Sequence, residues 1–242
     1  MSIPLSEEFL SIQGEGERAG IPSIFLRFGG CNLQCRGFGV EYFVNGEKRF
    51  GCDSYFSVDK DFSSEWKTIS KISEFIEILN KYPQNISDVV LTGGEPLLYA
   101  KQELFLELLN YLKNSDKTIT IETNGTIKID KKVEFQGIYF SISPKLEVSG
   151  EILKKGVSFS AVKSYQKNSE KNFLKFTLRE NSEKIHQFRK EFPEIPIYCM
   201  ALSGDKEELE KNAENVVKFA IEHGYRYSDR LHIRLWGDER GR

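Results

Sequence analysis

Three of the four cysteines, Cys31, Cys35 and Cys52, fall in the stretch GGCNLQCRGFGVEYFVNGEKRFGCDS. Thiolates that cluster in sequence are ligands for zinc or an iron–sulfur cluster, or a redox pair. The first two are four residues apart, and Cys52 follows Cys35 after a 16-residue gap. Asn45-Gly46 lies at the centre of that gap, between EYFV and EKRF. Asn-Gly between β-forming runs is the strongest short hairpin signal, because both turn residues take positive φ. A two-residue loop there sets Val44 opposite Glu47, Tyr42 opposite Arg49, Val40 opposite Gly51 and, next out, Gly39 opposite Cys52. Paired Cα atoms across such a ladder are about 4.5–5.5 Å apart, so the chain returns close to where it left. Cys31, Cys35 and Cys52 are therefore expected to converge. Three thiolates suit a four-iron cluster whose fourth iron stays open, whereas structural zinc prefers four closed ligands. Cys199 is a possible fourth ligand, although IPIYCMAL reads as a buried strand in which a free cysteine is commonly a small core residue. A zinc knuckle and unrelated thiols stand as alternatives.

Other residues invite chemistry. Arg27 sits in SIFLRFGG, apolar on both sides. A buried arginine must be paired, either in a structural ion pair or with a ligand carboxylate that a planar guanidinium grips bidentately. Gly93 and Gly94 precede Glu95 after VVLT; two glycines permit close backbone approach, although a tight turn alone would also use them. Glu122 and Asn124 lie in ETNG, which is also ordinary turn chemistry. His186 and His223 fall in or at the end of polar helices, and none of the three histidines, His232 included, is assigned a ligand role.

The elements that must position these residues alternate. Strands are expected at residues 22–30, in SDVVL before the TGGEP turn, at 117–125, at 136–145, in SFSAVKSY and NFLKFTL, in IPIYCMAL, and in a closing DRLHIRLWG. Helices are expected at residues 69–82, 103–114, 181–191 and 206–224. Strands alternating with helices argue for an α/β fold with a parallel sheet and right-handed crossovers. In such sheets ligands sit beyond the carboxyl ends of the strands. The turns TGGEP, ETNGT and SPK, together with the cysteine segment, all fall at that rim.

Composition narrows the class. The 242 residues carry a formal net charge of −2, so no global basic field argues for nucleic-acid binding. No run of apolar residues is long enough to span a membrane and no secretory h-region precedes the first strand. A cytoplasmic protein with reduced thiols is expected. No repeat or linker interrupts the chain, so residues 1–242 are expected to form one domain, with a cluster loop at 31–54 and a hairpin insertion at 36–51.

The cysteine segment with TGGEP resembles the radical S-adenosylmethionine superfamily, whose usual spacing is C-x3-C-x2-C; here the hairpin stands in the two-residue gap, and Cys52-Asp53-Ser54 matches the family's Cys-Asp-Ser/Thr ending. EEFLSIQGEGERAGIPSIFLRFGGCNLQC, followed in order by LTGGEPLL, IETNGT and SISPK, resembles the 7-carboxy-7-deazaguanine synthases. The resemblance implies a modified, incomplete (β/α) barrel of parallel strands. It implies a [4Fe–4S] cluster on Cys31, Cys35 and Cys52, with S-adenosyl-L-methionine on the open iron. It implies cofactor contacts from Gly51, Asp53, Gly94, Glu95, Glu122, Ser143, Pro144 and Lys145, and Mg²⁺ on the Ser54 hydroxyl. Substrate contacts are implied for Ile12, Gln13, Gly14, Glu15, Arg27 and Thr92, with Arg242 supplying a terminal carboxylate. The implied reaction is a radical ring contraction of 6-carboxy-5,6,7,8-tetrahydropterin to 7-carboxy-7-deazaguanine with loss of ammonia. This is a carbon–nitrogen lyase step towards queuosine-type deazapurines. A flavodoxin-like donor, a pterin substrate and a homodimer are the implied partners. At the C-terminus, RLHIRLWG departs from the family's Gln-x-His-Lys pattern and places Arg234 and Trp236 where Gln and His would stand. Another radical enzyme, such as an activase of glycyl-radical proteins, and a zinc-stabilised binding domain are the rival readings.

Overall fold

The computed structural model describes residues 2–35, 40–146, 158–179, 182–237 and 239–242. Among these, nine strands form one sheet in the order β11-β10-β9-β8-β7-β6-β2-β1-β5. They are β1 (Ile3–Ile12), β2 (Pro22–Phe28), β5 (Lys67–Ile69), β6 (Asp88–Gly93), β7 (Thr118–Thr123), β8 (Tyr139–Ile142), β9 (Asn172–Leu178), β10 (Ile197–Ala201) and β11 (Arg226–Tyr227). From β2 through β6 to β11 the strands run parallel; β1 and β5 close one edge antiparallel. A short helix α1 (Tyr55–Val58) precedes β5, and helices α2 (Ile72–Leu79), α3 (Glu103–Asn114), α4 (Phe159–Gln166), α5 (Lys184–Glu191) and α6 (Lys206–His223) connect the strands that follow.

The sheet has two unlike faces. Ile24, Leu26, Phe28, Val89, Leu91, Ile121, Phe140, Ile142, Leu174, Phe176 and Cys199 pack against the helices as one buried core. Residues of the other parity line the opposite face. The pairs Arg27 with Thr92, Glu122 with Ser141 and Ser141 with Phe173 place Arg27, Thr92, Glu122 and Lys175 there together. A bulge at Ser6 lets Leu5 face Phe28 on the helix side while Glu7 faces Arg27 on the inner side.

The sheet also curls. Beyond β11, Leu231 N–H donates to Gly14 O at 3.0 Å and the Ser228 hydroxyl accepts from Gly16 N–H at 2.7 Å. Residues just past β1, near one edge, are thus bridged to residues just past β11, at the other. That is the incomplete barrel the resemblance implies.

The hairpin β3 (Val40–Val44) with β4 (Glu47–Gly51) has the expected register, and Asn45 and Gly46 take φ of 53° and 79°. The outermost pair, Gly39 with Cys52, and the start of the insertion at 36–39 lie outside the described residues.

Two segments differ from expectation. SFSAVKSY forms α4, not a strand: the Ser158 side chain accepts from Ala161 N–H as an N-cap, and Ala161, Val162 and Tyr165 bury one helical face. RLHIRLW forms α7 (Leu231–Trp236), also not a strand: only Ile233 is buried, and Leu235 is exposed. The alternation of apolar residues in both segments mimics a strand. In addition, β1, β5 and β11 exist where no strand was expected.

Candidate active site

The Gly93–Glu95 turn is built against the cysteine loop. Gly94 N–H donates to Phe28 O at 3.1 Å and Glu95 N–H to Gly30 O at 2.9 Å. A Cβ on Gly93 would overlap the Phe28 carbonyl, and Gly93 takes φ of 134°. The glycines therefore serve a backbone-to-backbone approach that seats Cys31 beside the turn. The Glu95 carboxylate turns inward. It is fully buried and accepts from Leu97 N–H (3.0 Å), Thr123 Oγ1 (2.9 Å) and Asn124 N–H (2.7 Å), fastening this turn to ETNG.

Around the cysteines, Leu33 N–H lies 3.4 Å and Asn124 Nδ2 3.9 Å from Cys31 Sγ. Burial raises the Cys31 thiol, and raises Cys52 to about 12 with Asp53 and Cys35 adding to the effect. Cys52 and Cys35 are thus electrostatic neighbours at the base of the hairpin. Buried neutral thiols that receive N–H donors fit a group bringing its own positive charge, as a cluster does. Among the described residues no three His, Cys, Asp or Glu side chains are grouped to hold one metal ion. A cluster differs in that each thiolate reaches its own iron. Cys199 lies on the helix side of the sheet, fully buried.

Next to the cysteine loop, Asp53 and Ser54 link two charged clusters on the inner face of the sheet, which form the two ends of the candidate site. At the first end, Arg27 Nε pairs with Glu7 at 3.0 Å and its Nη1 donates to Ser54 Oγ at 3.0 Å. Ser54 makes no helix-cap bond with its side chain. Arg240 closes over the same place: its guanidinium lies 3.5 Å above the Phe56 ring, and its Nε is 3.9 Å from Glu7. Two guanidiniums thus share one carboxylate. Arg242 instead pairs with Glu239 at 2.9 Å.

At the second end, Glu15 is held by Arg230 Nε at 2.8 Å and Lys175 Nζ at 3.0 Å. Lys175 also donates to Glu122 at 3.0 Å, and Glu122 accepts from Thr92 Oγ1 at 2.8 Å and from Gln13 Nε2 at 3.4 Å. Arg230 Nη2 reaches Asp53 at 3.2 Å. Three carboxylates thus share two cations. Burial alone would raise Glu15; the opposing influence of Lys175, Arg230 and His232 holds it well below the usual carboxylate range. His232 lies 3.9 Å from Glu15, and burial lowers it towards the neutral imidazole. Its ring packs so closely on Gly14 that a Cβ there would collide with Nδ1. Just past β8, Ser143 N–H donates to Thr123 O at 2.7 Å and Lys145 Nζ to Ser143 Oγ at 3.0 Å. Gly51 fits between Tyr42 and Tyr55, each 3.2 Å from where a Cβ would stand.

Lys175, Arg230, His232 and Arg240 were not found from sequence. Lys175 carried a usable signal, a lone charge in the apolar NFLKFTL, the same that marked Arg27. Arg230 and His232 were hidden by the misread C-terminal strand, and His232, not Arg234 or Trp236, reaches the cleft.

A parallel α/β sheet with a cysteine loop at its carboxyl rim defines a protein of the single-cluster iron–sulfur class. Accordingly, residues 12–139 match the family described as "4Fe-4S single cluster domain". The chain is 31% identical to 7-carboxy-7-deazaguanine synthase of Halobacterium salinarum, covering 98% of this chain and 91% of that protein. It is 30% identical to the synthase of Rhodopirellula baltica, covering 99% and 89%. The fold is similar to the crystal structure of QueE from Escherichia coli, with a TM-score of 0.67 at 21% identity over 96% of this chain and 95% of that one. It is also similar to Streptococcus suis SuiB bound to S-adenosylmethionine, with a TM-score of 0.53 at 16% identity over 83% and 48%. The chain belongs to the 7-carboxy-7-deazaguanine synthase family.

Proposed function

We propose that this protein is a carbon–nitrogen lyase that converts 6-carboxy-5,6,7,8-tetrahydropterin to 7-carboxy-7-deazaguanine with loss of ammonia, in queuosine-type deazapurine biosynthesis. The observation that carries the substrate assignment is the polarity of the cleft. A pterin acid has a carboxylate at one end and a guanidine-like N–H edge at the other. The Arg27 end has surplus positive charge and the Glu15–Glu122 end surplus negative charge, which orients such a molecule one way round.

In this reading Arg27 grips the carboxylate, with Arg242 closing that end; the tail passes close to Glu7 and Phe9 at Gly241. Glu15 accepts from the N–H edge, and Ile12, Gln13, Gly14 and Thr92 complete the pocket wall. Cys31, Cys35 and Cys52 hold the [4Fe–4S] cluster. Gly51, Asp53, Gly94, Ser143, Pro144 and Lys145 surround S-adenosyl-L-methionine, and Glu95 shapes that wall from behind; Glu122, which the resemblance gave to the cofactor, is assigned to the substrate end because it shares Lys175 with Glu15. Cluster and cofactor together supply, when bound, the one-electron cleavage that yields a hydrogen-abstracting radical. Ser54 offers Mg²⁺ a single neutral hydroxyl beside the carboxylate site, which suits an ion that keeps most of its waters. Lys175 and Arg230 hold the carboxylates and exclude water from them. No helix among the described residues is long and apolar enough to cross a membrane. A cytoplasmic homodimer served by a flavodoxin-like donor is the setting proposed.

The test is anaerobic incubation of cluster-containing enzyme with reduced donor, S-adenosyl-L-methionine, Mg²⁺ and the carboxytetrahydropterin. A product with the mass of 7-carboxy-7-deazaguanine is expected. Intact pterin alongside reductive cofactor cleavage would refute the substrate assignment.

A further inference from the structure

We propose that Lys175 is the positioning residue of the negative end of the cleft, its ammonium fixing the separation of Glu15 and Glu122 so that they meet the N–H edge of the substrate as a pair. The proposal rests on the function given above. Its basis is geometric. Lys175 Nζ lies 3.0 Å from Glu15 Oε2 and 3.0 Å from Glu122 Oε1, and the side chain is only 4% exposed. The two acids come from separate elements: Glu15 from the segment after β1, Glu122 from the end of β7. No covalent path sets their spacing, and one cation between them does. The lysine stem also seats the loop, since a Cβ on Gly16 would stand 3.2 Å from Lys175 Cδ.

The groups facing the pair are few. Glu15 meets Lys175, Arg230 and His232, with Asp53 beyond Arg230. Glu122 meets Lys175, Thr92 and Gln13. Burial alone would raise both acids, and Lys175 is the largest influence lowering each. Without it the desolvation is less opposed, and both take up protons at higher pH. A carboxyl that has gained a proton accepts fewer N–H bonds.

Lys175→Met tests this in the cluster-containing enzyme. Pterin-acid binding is measured calorimetrically without reductant, and the pH profile of kcat/KM with it. At neutral pH, affinity for the pterin acid is expected to fall about 10-fold or more. Iron content and affinity for S-adenosyl-L-methionine are expected to hold. The acid limb of the profile is expected to move up by about 1–3 pH units. Adding Glu122→Gln removes one under-compensated anion and is expected to bring the limb part of the way back. If Lys175→Met does not fold, Lys175→Met/Glu122→Gln carries the binding test, with the same loss for the pterin acid alone expected. An unmoved acid limb, or equal weakening for both ligands, overturns the proposal. Wild-type enzyme that binds S-adenosyl-L-methionine but no pterin acid refutes instead the function on which it rests.

Discussion

Adding one methyl group at Gly94 should damage both the fold and the cluster site. In Gly94→Ala the new Cβ would overlap Gly30 O, stand 2.5 Å from the Gly30 carbonyl carbon and 3.1 Å from Cys31 Cβ. The first two are backbone atoms and cannot rotate away. The turn must therefore separate from the cysteine loop, straining the bonds from Gly94 N–H to Phe28 O (3.1 Å) and from Glu95 N–H to Gly30 O (2.9 Å). Each is worth about 0.5–1.5 kcal/mol net, and overpacking adds about 1–3 kcal/mol. A loss of about 2–6 kcal/mol lowers the melting temperature of a chain this size by on the order of 10 °C. Because Cys31 is one of the displaced neighbours, iron retained after anaerobic reconstitution should fall as well. Calorimetry of the apo protein and iron analysis of the reconstituted one provide the two readouts. Gly204→Ala is the control, since its nearest neighbour would be 3.9 Å from the added carbon. A Gly94→Ala protein that melts within about 2 °C of wild type and binds full iron would refute the close-approach argument.

Alanine at Cys31, Cys35 or Cys52 should abolish iron binding and turnover, while Cys199→Ala keeps both; full iron in Cys52→Ala would sink the idea that the hairpin delivers a ligand. Ser54→Ala should weaken the response of turnover to Mg²⁺ and raise KM with iron intact, because its hydroxyl meets Arg27 and Asp53 and makes no helix-cap bond. Superimposable Mg²⁺ titrations would remove it from the metal site. Burial pushes Glu95 up to about 7 from its ordinary 4.5. The folded state therefore holds that proton more tightly than the unfolded chain. Its stabilising contribution is full below about 4.5 and is lost as pH rises to about 7. Glu95→Gln should flatten the apo melting temperature across that window, and parallel wild-type and variant curves would show that another group is responsible.

The hairpin was legible because Asn45-Gly46 dictates positive φ and, with it, the register. The parallel sheet was legible wherever a strand is buried on both faces, as β6 and β10 are. β1 was not, because its inner face turns Glu7 towards Arg27 and Ser11 towards Ser23, interrupting the apolar pattern a strand search needs. In α4 and α7, short apolar alternations mimic strands, and only the Ser158 cap and the burial of one face reveal helices. Within the site, residues in local motifs such as TGGEP and ETNG could be read in advance. Lys175 shows locally as a lone charge in an apolar strand, but its partner Glu15 lies 160 positions away and that of Arg230 lies 215 away, and such pairings no local pattern encodes.

The bridge from Gly14 and Gly16 to Leu231 and Ser228 also imposes an order in time. The bond from Gly16 to Ser228 spans 212 positions and that from Arg230 to Glu15 spans 215. Such closures come late, since the entropy of looping the intervening chain is recovered only once the sheet between them has formed. During synthesis the cysteine loop and the turns that brace it are complete long before Arg230 leaves the ribosome. A nascent or truncated chain therefore possesses the loop that would gather iron but lacks the cations that organise the acidic end of the cleft. Radical-generating machinery and substrate pocket mature separately, and only the finished chain joins them.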